Sequence, residues 1–195
     1  MVKRPGRFSR PKYTLADDYQ HVITPIGVVH SPFQWREEAP RQATVGEAVD
    51  ATIVLRSGLQ NTVKDLKGFD RVWVLFGFCY SNGWKHQIVP PRDTVKRGIL
   101  ATRSPDRPNG MGLSAVQLLN IDGPRLTIRG CDILNGSPVY DLKPYIPAYD
   151  SFPTAKAGWV DALAAPGPDH RYRAGCEPGV KGGRTGTPGA PTNGE

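Results

Sequence analysis

Short runs in which apolar residues dominate or alternate with polar ones predict β-strands through the middle of the chain. Val22–His30 is rich in β-branched residues and stops at a Ser-Pro pair, which is typical of a strand end. Within Glu47–Leu55 the apolar residues recur at every second position, so we expect a half-buried strand. Arg71–Tyr80 combines aromatic and β-branched residues with almost no polar interruption, which favours a central strand buried on both faces.

Three further strands are predicted after residue 110, and turn sequences separate them. Leu113–Ile121 alternates and leads through the tight turn Asp122–Pro124 into Leu126–Cys131, its expected hairpin partner. The pair Asn135–Gly136 indicates another turn. Val139–Ile146 then follows as the last strand of the sheet.

Helical periodicity is scarce along the chain. Leu59–Leu66 is compatible with one helical turn, and Ala155–Leu163 with one short helix. We expect Trp73, Leu75 and Phe76 to lie in the core. Short strands separated by Gly and Pro turns therefore predict a mostly β fold, an antiparallel β-barrel of about six to seven strands with few short helices.

The length of 195 residues suits one folded domain with a substantial core. We predict a basic, flexible arm over residues 1–20, which either contacts RNA or is inert, and a barrel domain over residues 21–164. Residues 165–195 contain eight Gly and five Pro with few large apolar groups. Such a tail cannot bury enough surface to order itself, so we expect it to be disordered.

Cysteine usage and hydropathy bear on localisation. The three cysteines, Cys79, Cys131 and Cys176, are odd in number and show no metal-ligand spacing, so we expect reduced thiols and no metal. No apolar run approaches the ~20 residues of a membrane span, and the basic N-terminus lacks the apolar stretch of a secretory signal. We therefore expect a cytoplasmic protein without a membrane partner.

Positive charge is concentrated in one stretch of a basic chain. The net charge is +7, and Trp84–Arg107 holds six basic residues against two acidic ones, a local +4. A basic rim suits a phosphate-rich partner such as a nucleic acid. A generally basic protein without a nucleic-acid partner is the alternative. The candidate RNA-binding residues are Lys85, Arg92, Lys96, Arg97 and Arg107.

The stretch Gly98–Ser114, which we call the signature loop, places two arginines beside prolines and glycines. Ile99–Ala101 is expected to enter it as a short strand, and Arg103 and Arg107 are each followed closely by a proline. Proline restricts its own backbone and that of the preceding residue. A guanidinium on such a stiff segment loses little entropy when it clamps an anion or stacks on a base. A surface hairpin with solvated arginines is the alternative.

Several motifs together resemble one known family. The set comprises IGVVHSP at Ile26–Pro32, PRQ at Pro40–Gln42, LKGFDRVWVLFGF at Leu66–Phe78, VPPR at Val89–Arg92, ATRSPDRPNGMGLS at Ala101–Ser114 and DILNGSPVYDLKPYIP at Asp132–Pro147. In this order and spacing they resemble the TsaA-like (YaeB-like) β-barrel methyltransferases. The resemblance extends from about Val22 to Asp150.

This resemblance implies an S-adenosyl-L-methionine-dependent methyltransferase that pairs as a homodimer near the donor site. Characterised members methylate N6 of threonylcarbamoyl-adenosine beside the tRNA anticodon. No Rossmann glycine fingerprint is present, so the donor assignment comes from the resemblance and not from a residue pattern. It places the donor pocket among Pro40, Arg41, Gln42, Cys79, Tyr80, Arg103, Leu113, Asn135, Gly136, Ser137 and Pro138.

The chemistry of these residues is compatible with such a donor. Arg103 can pair with the methionine carboxylate. Gln42 and Asn135 can hydrogen-bond polar donor groups, and backbone amides around Leu113 and Gly136 can meet the adenine edge.

Asp141 and Lys143 are the catalytic candidates. They are two residues apart in a predicted strand, so both side chains should share one face. A carboxylate there can handle a proton or orient a substrate. A structural ion pair that closes the barrel is the equal alternative.

Three departures from the family pattern leave other functions open. Arg71 and Cys79 stand where the family often has His, Asn135 stands where Asp is usual, and NGMG replaces the common NPIG at Asn109–Gly112. A methyltransferase for a small-molecule acceptor is therefore one alternative. A non-catalytic module that binds the donor or RNA is another.

Overall fold

Six antiparallel strands close into a barrel in the part of the chain that the structure describes. This computed structural model describes residues 19–44, 48–81, 83–91 and 93–163. Its strands are β1 Gly27–His30, β2 Asp50–Leu55, β3 Arg71–Gly77, β4 Gln87–Ile88, β5 Arg97–Gly98, β6 Met111–Asp122, β7 Arg125–Arg129 and β8 Pro138–Pro144. The barrel order is β1-β2-β7-β6-β3-β8, and β8 pairs with β1 to close it. This confirms the predicted fold class.

Alternation along each strand builds the core of the barrel. Inward-facing positions are mostly β-branched, and fully burying such a side chain stabilises the fold by about 1.5–3 kcal/mol. The residues with no exposed surface are Val29, Ile53, Val72, Val74, Val116, Leu126, Ile128, Cys131, Ile133 and Val139. Burial raises the pKa of the Cys131 thiol to about 12, so this cysteine is a core residue and no nucleophile at neutral pH.

Strand β3 differs from its prediction. Val72, Val74 and Phe76 are buried inside the barrel, whereas Trp73 and Leu75 are only half-buried on the outer face. The expectation of burial on both faces was wrong, because a strand of a closed antiparallel barrel has one interior face only. On the outer face, the Trp73 ring packs against that of Tyr145 at 5.4 Å.

Within the described residues, helical structure is limited to single turns. The turn predicted within Leu59–Leu66 is present as a 3-10 turn at Gln60–Val63. Near the C-terminal end, the expected helix is a 3-10 turn at Gly158–Ala162, and one α-helical turn, α1, spans Pro147–Asp150. The run Ile99–Ala101 is also a 3-10 turn, which corrects the predicted strand. Among the described residues, the neighbouring ladder β4–β5 is only two residues long and ends at Gly98.

An irregularity in β8 shapes one end of the barrel. Leu75 pairs with Asp141 but Phe76 pairs with Val139, so Tyr140 is an extra residue in β8. Bulges of this kind bend a strand and redirect its side chains. At the same level Gly112 pairs with Phe76, and any Cβ at residue 112 would overlap the Phe76 ring.

The arm and tail predicted over residues 1–20 and 165–195 lie outside the described residues, apart from residues 19 and 20.

Candidate active site

The predicted donor residues gather at one end of the barrel. The C-terminal ends of β1, β3 and β7 and the N-terminal ends of β2, β6 and β8 share this end, as their antiparallel pairings require. Three connections therefore form its rim, residues 31–49, 78–110 and 130–137. Every residue predicted to bind the methyl donor lies on one of these connections or among the first three residues of the strand that follows it.

Arg103 and Gln42 meet across this rim. Nη1 of Arg103 donates a hydrogen bond to the side-chain oxygen of Gln42, 61 residues earlier in the chain. The Gln42 side-chain amide donates in turn to the carbonyl of Arg41. The contact fixes the orientation of the Gln42 amide. The guanidinium of Arg103 is exposed, and its other N–H groups can hydrogen-bond to a ligand.

Tyr80 and Asn135 form a second contact across the rim. The Tyr80 hydroxyl donates to the Asn135 carbonyl at 3.1 Å, and the Asn135 side-chain oxygen accepts from the backbone amide of Ser31 at 3.3 Å. Gly136 follows with a φ of +80°, and a Cβ there would approach the Tyr80 hydroxyl to 3.2 Å. Positive φ strains other residue types, so this turn favours glycine and brings its backbone close to the tyrosine.

The remaining predicted donor residues differ in exposure. Pro40 and Ser137 are buried and serve the packing of the rim, whereas Cys79 is exposed. The Leu113 side chain is 54% exposed on the outer face of β6.

Asp141 and Lys143 lie on the outer face of β8, as their spacing predicted. Lys143 Nζ is 2.7 Å from Asp141 Oδ2, with the side chains 71% and 41% exposed. Leu75 on β3 pairs with both Asp141 and Leu113. The ion pair therefore stands two strands from Leu113, on the same outer surface. An exposed pair of this kind contributes little to folding. The other carboxylate oxygen of Asp141, Oδ1, accepts a hydrogen bond from the Leu142 amide at 2.9 Å.

The signature loop is held rigid by its own side chains. Arg107 Nη1 donates to the carbonyl of Thr102 at 2.9 Å and to that of Ser104 at 3.3 Å. Asp106 accepts a hydrogen bond from the Ser81 hydroxyl at 3.1 Å. The two arginines of the loop thus differ in use, since Arg107 holds the backbone on which Arg103 is presented.

Comparison with known proteins places the barrel in a family. The model of the tRNA-methyltransferase O N-terminal domain matches residues 28–151. The chain belongs to this family. The resemblance read from the sequence motifs is thereby confirmed, and the match ends within one residue of Asp150, where the resemblance was expected to end.

Two curated relatives and one solved structure illustrate the likeness. An S-adenosyl-L-methionine-binding protein of Archaeoglobus fulgidus is 38% identical over 129 residues, 66% of this chain and 92% of the relative. The tRNA (adenine(37)-N6)-methyltransferase of Escherichia coli is 33% identical over 150 residues, 73% of this chain and 64% of that enzyme. The crystal structure of TrmO from Pseudomonas aeruginosa matches with a TM-score of 0.62 at 32% identity, covering 76% of this chain and 65% of that one.

The predicted RNA-binding residues of this family member have different surroundings. Lys85 and Lys96 are exposed. Arg97 is paired with Asp93, Nε to Oδ2 at 2.7 Å. Arg92 lies outside the described residues. The two lysines are therefore the best placed of the set to meet a phosphate backbone.

Asp132 is a candidate that the sequence reasoning missed. Its Oδ1 is buried and has no hydrogen-bond partner among the described residues. Burial raises the pKa of this carboxyl, against the lowering effects of the Ser114 hydroxyl, of the backbone amides of Asp132 and Ala43, and of the Arg103 charge. An acidic residue between two apolar ones, Cys131 and Ile133, directly after a strand was the available signal. It places a largely buried carboxyl within electrostatic reach of Arg103.

Among the described residues, no cluster of three or more His, Cys, Asp or Glu is arranged to hold a metal ion. None of the helices in this part of the chain is long and apolar enough to cross a membrane.

Proposed function

We propose that this chain transfers a methyl group from S-adenosyl-L-methionine to N6 of an adenosine at position 37 of tRNA. The Arg103–Gln42 contact carries the proposal, because it joins two motifs of the family resemblance, PRQ and the signature loop, at one rim of the barrel. The names of relatives support it. Those from Escherichia coli and Homo sapiens are tRNA (adenine(37)-N6)-methyltransferases, and that from Archaeoglobus fulgidus is an S-adenosyl-L-methionine-binding protein.

The rim residues suit the donor. The bound donor supplies an electrophilic methyl carbon on a sulfonium. Arg103 would pair with its carboxylate through a bidentate contact that lysine cannot reproduce. Gln42, whose amide is already oriented, would hydrogen-bond to a polar group of S-adenosyl-L-methionine. The backbone near Gly136 and Leu113 would contact the adenine of that molecule. Because these groups come from separate connections held rigidly together, they position the donor at little entropic cost.

On the acceptor side, the N6 nitrogen gains a methyl group and must lose a proton. Asp141 is exposed on the same outer surface as Leu113, and we assign it the role of accepting that proton or orienting the acceptor. Lys143 Nζ lies 2.7 Å from Asp141 Oδ2, and this contact orients the carboxylate. The acceptor is proposed to be threonylcarbamoyl-adenosine, as the motif resemblance implies.

Pairing into a homodimer in the cytoplasm belongs to the same proposal. Leu113 and Met111 expose apolar surface at 54% and 37% on the outer face of β6, beside the rim. Burying this surface against a second copy would deepen a site that is shallow on one barrel. Light scattering should give twice the mass of the 21.3 kDa chain at micromolar concentration, and a mass near 21 kDa would contradict the dimer.

The decisive test is a transfer assay with labelled donor. Wild-type protein should methylate an anticodon stem-loop that carries threonylcarbamoyl-adenosine, and calorimetry should detect donor binding. Asp141→Asn should reduce the transfer rate while leaving donor affinity within about twofold. Asp122→Asn, on the turn at the opposite end of the barrel, is the matched control. Donor binding without transfer to any tRNA would point to another acceptor, and absence of donor binding at millimolar concentration would exclude a methyltransferase.

A further inference from the structure

A cleft lies beside the signature loop, apart from the Arg103–Gln42 contact. Its volume is about 310 Å³, at the lower end of the range for small-ligand sites and suited to one planar ring system. The Trp84 side chain is 49% exposed and that of Leu100 is 74% exposed, so the cleft opens to solvent. Its walls are formed by Trp84, His86, Gly98, Ile99, Leu100, Ala101 and Pro108.

The aromatic wall of this cleft is available for stacking. The rings of Trp84 and His86 have centroids 4.5 Å apart and planes inclined at 66°. Because this contact is edge-to-face, it does not cover the indole as a parallel stack would. A flat apolar ligand can therefore lie against Trp84.

The part of the lining that the signature loop contributes is braced by hydrogen bonds. The Trp159 indole nitrogen donates to the Ala101 carbonyl at 2.9 Å, and the backbone amide of Ile99 donates to the His86 carbonyl at 2.9 Å. Arg97 lies over the Trp159 ring, with its guanidinium carbon 5.1 Å from the centroid. The cleft is thus preformed, and a ligand that enters it pays little ordering entropy.

Charge around the cleft favours a nucleic acid. Lys85 is the neighbour of Trp84, and Lys96 precedes β5; both are exposed. Lysines beside an exposed aromatic ring are the combination that binds single-stranded RNA, with phosphates on the cations and a base on the ring. Arg103 is two residues from Ala101, so their Cα atoms are at most about 7.6 Å apart. A ligand in the cleft would therefore be close to one held by Arg103.

We propose that this cleft binds an unstacked nucleobase of the RNA substrate, next to the base that is methylated, by stacking on Trp84. This inference rests on the proposed function and adds to it a binding site for the flanking nucleotide. The base would be recognised by its flat face and not by its edge, because the lining is mainly apolar. Lys85 and Lys96 would meet the adjoining phosphates.

The test measures the affinity of a fluorescently labelled anticodon stem-loop by anisotropy at several salt concentrations. Trp84→Ala should weaken binding by about 5- to 150-fold, the range for loss of one base–aromatic stack, without changing the salt slope. Trp84→Phe should retain most of the affinity. Lys85→Ala should lower the salt slope by about one. Tyr149→Ala removes an aromatic side chain that is 74% exposed on α1 and should change nothing.

A second variant distinguishes loss of the stacking site from misfolding of the protein. Leu100→Glu places a negative charge at the mouth of the cleft, where the native side chain is mostly exposed, and should weaken RNA binding while the melting temperature stays unchanged. Unchanged RNA affinity in both Trp84→Ala and Leu100→Glu would overturn the inference. So would a loss of donor affinity in Trp84→Ala, because the cleft would then belong to the donor.

Failure of this inference and failure of the proposed function give different results. Normal methylation by wild-type protein, with unchanged RNA affinity in Trp84→Ala, contradicts the proposed nucleobase site but not the proposed methyl transfer. RNA binding that depends on Trp84, without methylation of any RNA, contradicts the proposed reaction alone.

Discussion

The barrel wall and the rim that carries the signature loop are built by different chemistry. In the wall, backbone ladders join the strands, and interior residues such as Ile53 and Ile128 have no exposed surface. In the rim, side chains hold the backbone in place, as Arg107 does for Thr102 and Ser104. The wall therefore supplies most of the stability, and the rim places exposed groups such as Arg103. Substitutions in the two regions should change different measurements.

The largest effect is expected in the wall. Ile128→Ala removes a fully buried side chain from β7 and leaves a cavity in the closed barrel. We expect a loss of about 2–5 kcal/mol in the free energy of unfolding, measured by urea denaturation. Leu119→Ala, whose side chain is 38% exposed on β6, is the control and should cost clearly less. Equal losses would mean that the barrel interior is no more important than its surface.

An intermediate effect is expected at the rim, in binding and not in stability. Arg103→Ala should weaken donor binding by about 1.5–3 kcal/mol, the scale of hydrogen bonds to charged groups, as measured by calorimetry. Without donor, its melting temperature should match that of wild-type protein, because the guanidinium is exposed. Arg56→Ala, exposed after β2 at the other end of the barrel, is the matched control.

Arg107→Ala sharpens the contrast within the loop. The sequence predicted that Arg107 binds RNA, so we expect this variant to weaken RNA binding and to lower its salt slope by about one. It should weaken donor binding less than Arg103→Ala does, because Arg107 only supports the backbone that carries Arg103. The Arg107 contacts to the carbonyls of Thr102 and Ser104 add a second expectation, a faster amide hydrogen exchange across Thr102–Asp106. The reverse pattern of affinities would mean that the two arginines have exchanged roles.

The wall was more predictable from sequence than the rim. Alternation identified β2 and β6, because a half-buried strand imposes a period of two on its own residues. It failed for β3, where aromatic residues on the outer face imitate a core. The pattern of Ile99–Ala101 predicted a strand, but strand formation needs a partner that local sequence does not reveal. Asp132 was missed because its burial depends on connections far apart in the chain.

The smallest effect concerns a carboxyl of the rim, Asp132, and its dependence on pH. Burial raises the pKa of Asp132 in the folded protein above its ordinary value of about 3.9. Ionisation of this carboxyl therefore lowers the free energy of unfolding. The stabilising contribution of the protonated form is complete below the ordinary pKa and is lost as pH rises through the raised pKa. Asp132→Asn removes the charge, so the variant should melt higher than wild-type protein at pH 7, by a few degrees if about 1 kcal/mol is recovered. This advantage should shrink toward pH 4.

A carboxyl of the wall should show the opposite sign, which makes the pair a test of the comparison. Asp50 on β2 binds Arg129 on β7 at 2.7 Å, and this hydrogen bond holds the pKa of Asp50 below its usual value. Its stabilising contribution is present above the unfolded pKa and is lost as pH falls. Asp50→Asn should therefore melt slightly lower than wild-type protein at pH 7, and the deficit should fade in acid. Melting curves between about pH 2 and pH 7, which extend below the ordinary carboxyl pKa of about 3.9, test both signs. A lower melting temperature in both variants at pH 7 would show that the Asp132 charge stabilises the rim. The carboxyls of wall and rim would then affect stability in the same direction.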